Sequence, residues 1–210
     1  VRARAYKAYY AEYKKVINTI GANYYANVKK DVFYAKARKY GSYLEQAVSA
    51  EDVPVGVYEA LIKAVNSDLG LMHRYMALRK KALKNDEYNM YDMYVPLAEN
   101  AELELEFDEA AKLVKEGLAP LGEEYRALLE RAFNTGWIDV YETANKRSGG
   151  YCIDAITVHP YVLLNYTKTT REVFTIAHEL GHAMHSYYSA ANQPSSKARY
   201  EIFVAEVAST

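Results

Sequence analysis

The sequence predicts a mainly α-helical, multi-helix protein with a small β element placed just before a histidine-bearing helix. Three observations carry this. Apolar and aromatic side chains recur at helical spacing between lysines through most of the first 84 residues. A short β-rich run, "YVLLNY", follows a pair of glycines in "SGGY". Helical periodicity then returns in the last third of the chain, around "VFTIAHELGHAMHSYY" (173–188).

Taken in order, "ARAYKAYYAEYKKVINTIGANYYANVKKDVFYAKARKY" reads as helix, with a break expected at Gly21. Pro54 suits the first turn of a further helix that runs to about Leu83. On that helix Tyr58, Leu61, Ile62, Val65, Leu69, Met72, Tyr75, Met76 and Leu78 form a broad face expected to be buried. Most of the 22 tyrosines fall on such faces and read as packing or rim residues. Residues 84–100 are polar, contain Pro96 and read as an irregular connection. Asp108 is placed to cap a helix ending near Gly117, and another spans about Leu121 to Gly136. Residues 138–167 read as short strands with a loop between them, and helices follow around 169–190 and 198–210. The organisation expected is one domain in two parts, a helical region at 1–86 and a histidine-bearing region at 87–210.

Bulk composition narrows the function classes. With 26 basic and 27 acidic side chains the formal net charge is -1, which gives no electrostatic bias toward nucleic acid or anionic lipid, and neither is expected as a partner. No apolar run approaches the ~20 residues of a membrane span. Cys152 is the single cysteine, so no internal disulfide can form, and a cytoplasmic location fits. The chain opens at Val1 and stops at Thr210 within helical patterns, which reads as an internal piece of a longer protein.

The chemistry concentrates in "HELGH". His178 and His182 are four residues apart, which sets both imidazoles on one helix face, one turn apart, within reach of a single metal ion. In an H-E-x-x-H pattern the intervening glutamate, here Glu179, acts as general base on water rather than as a ligand. His185 lies ~10.5 Å along the axis from His178 at 1.5 Å per residue, too far to share the ion, so it reads as a supporting or packing residue. A third ligand must come from elsewhere. Glu206 sits inside the apolar run "IFVAEVAS", where an ionised carboxylate needs a positive partner, and it follows His182 by enough chain for a helix to end, turn at "NQP" and return. A buried glutamate bonded to a neighbouring helix is the plain alternative. Glu201 reads as ordinary surface. The longer pattern H-E-x-x-H-x-x-G-x-x-H is excluded by His185 and Tyr188.

Taken together, "FTIAHELGHAMHSYYS", "FVAEVAST", "GWIDVYETANKRSGGYC", "HPYVLLNY" and "LRKKALKNDEYNMYDMYVPL" resemble, in the same order, segments of the oligoendopeptidase F group of thimet-oligopeptidase-like zinc metallopeptidases. The resemblance is nearly continuous from about residue 50. It implies one Zn²⁺ per chain held by His178, His182 and Glu206, Glu179 as catalytic base, and short unfolded peptides as substrates reached through a deep channel. It also implies a C-terminal segment bearing a tyrosine and a histidine, beyond Thr210.

Around that core the readings are looser. Gly149, Gly150 and Tyr151 could present an edge strand to an extended peptide by β-augmentation, or form a simple hairpin turn. Asp139 and Arg147 could support the histidines through their second ring nitrogens. His159, before Pro160, reads as an exposed loop histidine, with a place along the substrate channel as the alternative, and His73 as core or surface. Two other classes stand beside the peptidase: a non-catalytic zinc-binding helical module, and a helical interaction domain in which the histidine spacing is coincidental.

Overall fold

The computed structural model describes residues 1–98 and 103–210. The chain divides into two compact units, Val1–Glu99 and Asn100–Thr210. The architecture is mainly α, as the sequence predicts. Among the described residues, no helix is long and apolar enough to cross a membrane.

The first unit holds α1 (Arg2–Lys15), α2 (Ile17–Ala37), α3 (Tyr43–Ser49) and α4 (Val55–Ala82). The break expected at Gly21 falls instead at Val16, where φ is −116° and the backbone N–H turns to Tyr13. Gly21 continues within α2, since one glycine costs a helix only about 1 kcal/mol relative to alanine, whereas Val16 and Ile17 are adjacent β-branched residues stiff at χ1. The short helix α3 was not anticipated. Its start is marked by Ser42, whose hydroxyl accepts the Glu45 N–H at 3.0 Å. Leu83 closes α4 as expected, while Pro54 stands one position ahead of the expected first turn, as the extended residue before Val55.

The expected burial of the α4 face does not hold: Leu61, Val65, Met72 and Leu78 are all more than half exposed. Helical periodicity identifies an apolar stripe, but among the described residues of this unit these four side chains stay largely uncovered. What fixes the 84–98 segment is polar. Asp92, 2% exposed, sits in a 3₁₀ turn (Met90–Asp92) and accepts from Arg2 Nε at 3.0 Å. Arg79 donates to Tyr88 Oη at 2.8 Å and to the Val95 carbonyl at 2.6 Å. Positions 99 and 100 of the expected connection lie outside the described residues.

The second unit contains α5 (Phe107–Gly117), α6 (Glu123–Asn134), β1 (Ile138–Asp139), β2 (Tyr151–Ile153), β3 (Tyr161–Leu163), α7 (Thr170–Asn192) and α8 (Ile202–Ser209). The α5 cap is Glu106, not Asp108: Glu109 returns its carboxylate to the Glu106 N–H at 3.0 Å in a capping box, leaving Asp108 in the first turn. The sheet runs β1-β3-β2, with β1 parallel and β2 antiparallel to β3, so β2 is an edge strand.

One core joins all of these elements except α8. Ala110 and Val114 from α5, Leu129 from α6, Trp137, Val162 and Leu164 around the sheet, and Ile176, Leu180 and Met184 from α7 are buried together. The central helix, α7, presents Ile176, Leu180, Ala183 and Met184 to this core at i, i+4, i+7 and i+8. Because α7 is fixed by that stripe, the direction of every residue on its other face is fixed too.

Candidate metal centre

On the face of α7 turned toward α8, His178 and His182 place their Nε2 atoms 3.2 Å apart, with ring planes at 89°. Glu206 Oε2, carried by α8, lies 3.7 Å from the first nitrogen and 3.8 Å from the second. These three residues form the one group of His, Cys, Asp or Glu suited to holding a metal ion among the described residues.

The geometry can be tested against a metal directly. A circle through three atoms separated by 3.2, 3.7 and 3.8 Å has a radius of about 2.1 Å. An ion at its centre would therefore stand at bonding distance from all three, since zinc binds imidazole nitrogen at ~2.0–2.1 Å and carboxylate oxygen at ~2.0–2.2 Å. Two imidazoles and one carboxylate also leave a coordination position open, unlike the four protein ligands of a purely structural site.

The sequence argument for Glu206 rested on its burial, and that premise fails. Its side chain is 56% exposed, because Ile202, Phe203, Val204 and Val207 around it are themselves exposed. Its proximity to the histidines comes from the helix crossing instead. The helix itself starts at Ile202 rather than near Ala198. Residues 193–201 pack back on α7 through one hydrogen-bonded turn, in which the Lys197 N–H donates to the Pro194 carbonyl at 2.7 Å; Ser189 Oγ donates to the Ala198 carbonyl at 2.6 Å, and the Tyr200 ring stacks on His185 at 3.6 Å. Glu201 becomes the residue before the helix.

Glu179 points to the same cleft but is only 7% exposed. Burial pushes its carboxyl above the usual carboxylate range; the His178 and His182 imidazoles pull it down, and Glu206 adds to the rise. Gly150 lies against it. A Cβ at that position would come within 3.0 Å of Thr175 Cγ2 and 3.5 Å of Glu179 Oε1, so a side chain at 150 would press on Thr175 where the chain entering β2 approaches α7. Gly149, at φ +94°, makes the preceding turn. Asn165 clamps that turn by donating to the Arg147 and Gly149 carbonyls, both at 2.8 Å.

The cleft has a volume of about 530 Å³, and Tyr151, Cys152, Asp154, Arg199 and Tyr200 line it with the residues already described. A second cavity of about 540 Å³ shares Gly150, His178 and Glu179 with it and extends past Phe174. Sequence reasoning did not single out Asp154, Arg199 or Tyr200. Tyr200 arrives through its hydroxyl, 2.6 Å from Ser186 Oγ, a contact between residues 14 apart that no local pattern signals. Burial and the neighbouring Glu179 and Asp154 carboxylates push the Cys152 thiol up to about 12.

The remaining expected residues are placed as follows. His185 packs on Tyr200, and burial, with His182 nearby, holds its imidazole below the ordinary value. Asp139 pairs with Lys146 Nζ at 3.1 Å. The Arg147 side chain is exposed. His159 is not an exposed loop histidine: it stacks on Trp137, centroids 5.0 Å apart and 5° between planes. His73 is exposed on α4.

Comparison with known proteins places this geometry in context. The model of peptidase family M3 matches residues 1–210. Oligopeptidase PepF of Bacillus subtilis (strain 168) is 45% identical over 210 residues, covering 100% of this chain and 31% of that protein. Group B oligopeptidase PepB of Streptococcus agalactiae is 42% identical, covering 100% and 35%. Among solved structures, a Chlamydophila abortus protein superposes with a TM-score of 0.85 at 40% identity, over 100% of this chain and 35% of that one. Oligoendopeptidase-F from Enterococcus faecium gives 0.62 at 30% identity, over 100% and 29%. The chain spans about a third of the length of the curated relatives it matches.

Proposed function

The chain belongs to peptidase family M3, and from that premise we propose that it carries the zinc site of an endopeptidase that hydrolyses short, unfolded peptides. The observation that supports this most is the triangle of His178 Nε2, His182 Nε2 and Glu206 Oε2, sized for one ion, beside a buried Glu179. The names of the relatives, oligopeptidase and oligoendopeptidase, agree with it.

In this reading His178, His182 and Glu206 hold one zinc ion. Zinc, when bound, supplies Lewis acidity, lowering the pKa of water toward ~7 and polarising the scissile carbonyl. Glu179 takes a proton from the attacking water at its carboxylate and returns it to the leaving amine nitrogen. Its depth in the cleft suits this role, because a carboxylate raised above its ordinary pKa is a better proton acceptor near neutral pH. The edge strand β2, with Gly149, Gly150 and Tyr151 at its entry, offers backbone groups to an extended peptide, and the two cavities that share Gly150, His178 and Glu179 give that peptide room. His185, through Tyr200, steadies one wall of the cleft. A cytoplasmic location belongs to the same proposal.

Cleavage of a quenched fluorescent oligopeptide, followed for the unsubstituted protein and for Glu179→Gln, tests the role of the base. The variant is expected to keep its zinc and lose turnover by ~10²–10⁴-fold. Normal turnover in Glu179→Gln would remove Glu179 from the mechanism.

A further inference from the structure

The second ligand-bearing helix, α8, is positioned by something other than its own burial. None of its residues is buried, and Glu206 is half exposed. Yet Glu206 Oε2 stands within 3.8 Å of both histidine nitrogens. The cause lies on α7, one residue before His182. A Cβ at Gly181 would fall 2.5 Å from the Ala208 carbonyl oxygen, 2.8 Å from Ser209 Cα and 3.2 Å from the Ala208 carbonyl carbon. All three are backbone atoms, so no rotamer change can make room. Gly181 is itself buried, and its φ is not in the left-handed region, so a turn or an unusual conformation does not require glycine there. Close approach does.

We infer that Gly181 is a positioning residue for the metal centre: its missing side chain sets how near α8 can come to α7, and so whether Glu206 completes the triangle. This inference rests on the proposed zinc site. Glu206 lies two residues before Ala208 on the same helix, so lifting the Ala208–Ser209 turn by the space of a methyl group carries the carboxylate away from the histidines. The two helices meet at the smallest residue on α7, and the spacing of the three donor atoms follows from that contact.

The sign of the effect on the zinc-free protein separates positioning from general damage. Alanine is a better helix former than glycine, so Gly181→Ala favours α7 itself, and α8 has no buried side chain to lose from the core. The experiment is a competition titration of Zn²⁺ against a chelating fluorophore on four proteins: unsubstituted, Gly181→Ala, Glu206→Ala and the double variant, with thermal melts of the zinc-free forms. Gly181→Ala is expected to weaken zinc binding by tenfold or more while the zinc-free melting temperature holds or rises. In the Glu206→Ala background the same substitution is expected to cause no further loss, because it acts through Glu206. Unchanged zinc affinity in Gly181→Ala, or losses that multiply in the double variant, would overturn the inference while leaving the metal site standing. Should Gly181→Ala unfold, Glu206→Asp with Gly181 kept gives a second test: if the Gly181–Ala208 contact sets the nearest approach of α8, the helix cannot move in to make up for the shorter side chain, and zinc binding is expected to weaken tenfold or more, whereas undiminished affinity would count against the inference. No zinc uptake by the unsubstituted protein would overturn the metal reading, and this inference with it.

Discussion

The two units of the chain use the same kind of sequence to opposite ends. In Val1–Glu99, apolar stripes as regular as that of α4 stay exposed, and among the described residues Ala35 is the one buried hydrophobic residue. In Asn100–Thr210, shorter helices and three brief strands enclose Trp137, Leu129, Leu164, Ile176 and Leu180 completely. The difference teaches that an amphipathic pattern states which face of a helix is apolar and leaves open what covers it. Site geometry requires rigid supports, and both histidines of the candidate centre stand on α7, whose stripe is covered within its own unit, while Glu206 stands on α8, which buries none of its residues.

The comparison is sharpest in stability. Leu129→Ala, at a site with no exposure, is expected to cost ~2–5 kcal/mol in urea unfolding, whereas Leu61→Ala on α4, already 54% exposed, is expected to stay within ~0.5 kcal/mol. Equal losses at the two sites would erase the contrast.

Reactivity probes the packed unit from another side. With the Cys152 thiol pushed up to about 12, alkylation by iodoacetamide at pH 8 is expected to run on the order of a hundredfold or more slower in the native chain than in the unfolded one, where cysteine titrates near ~8.5. The rate in the native chain should keep climbing as pH rises past 9, because the thiol is still mostly protonated there. Native labelling as fast as that of the unfolded chain would show that the cleft around Cys152 is open.

A smaller effect is expected at the turn into β2. Gly149→Ala must place a Cβ at φ +94°, and is expected to lower stability by about 1 kcal/mol, measured by the same urea titration. Gly117→Ala, in a conformation open to any residue and with nothing within 4 Å, is the control expected to be neutral or slightly stabilising. The smallest effect concerns surface charge. Glu130 is held below its usual range, first by Lys115 and then by Asn134. A depressed carboxylate contributes stability above its unfolded pKa and loses it as pH falls through the folded value, so Lys115→Met should flatten the acid limb of the stability curve slightly, and less so in high salt. An unchanged acid limb at low salt would show that this pair contributes nothing.

Local signals served well where chemistry depends on short-range spacing. Pro54 and Leu83 mark the ends of α4 to within one residue of the reading, and the four-residue interval between His178 and His182 delivers two nitrogens 3.2 Å apart. Ser42 and Glu45 carried a legible cap for α3 that was passed over. Burial was less legible, because it depends on neighbours distant in sequence. Glu206 was singled out on the premise that its apolar neighbours are buried, and they are exposed. His159 does lie in a loop, but its half-burial was not legible because its stacking partner Trp137 is 22 positions away. Gly181 carried no signal of its own in the sequence, since the backbone it admits belongs to another helix.

The most direct test of the account is zinc stoichiometry by elemental analysis on the purified chain, set beside the Glu206→Ala variant. One zinc per chain, lost or greatly weakened in the variant, is the result predicted for a centre built from His178, His182 and Glu206. A well-folded chain that takes up no zinc, or a variant that binds it as tightly as the unsubstituted protein, would contradict that centre.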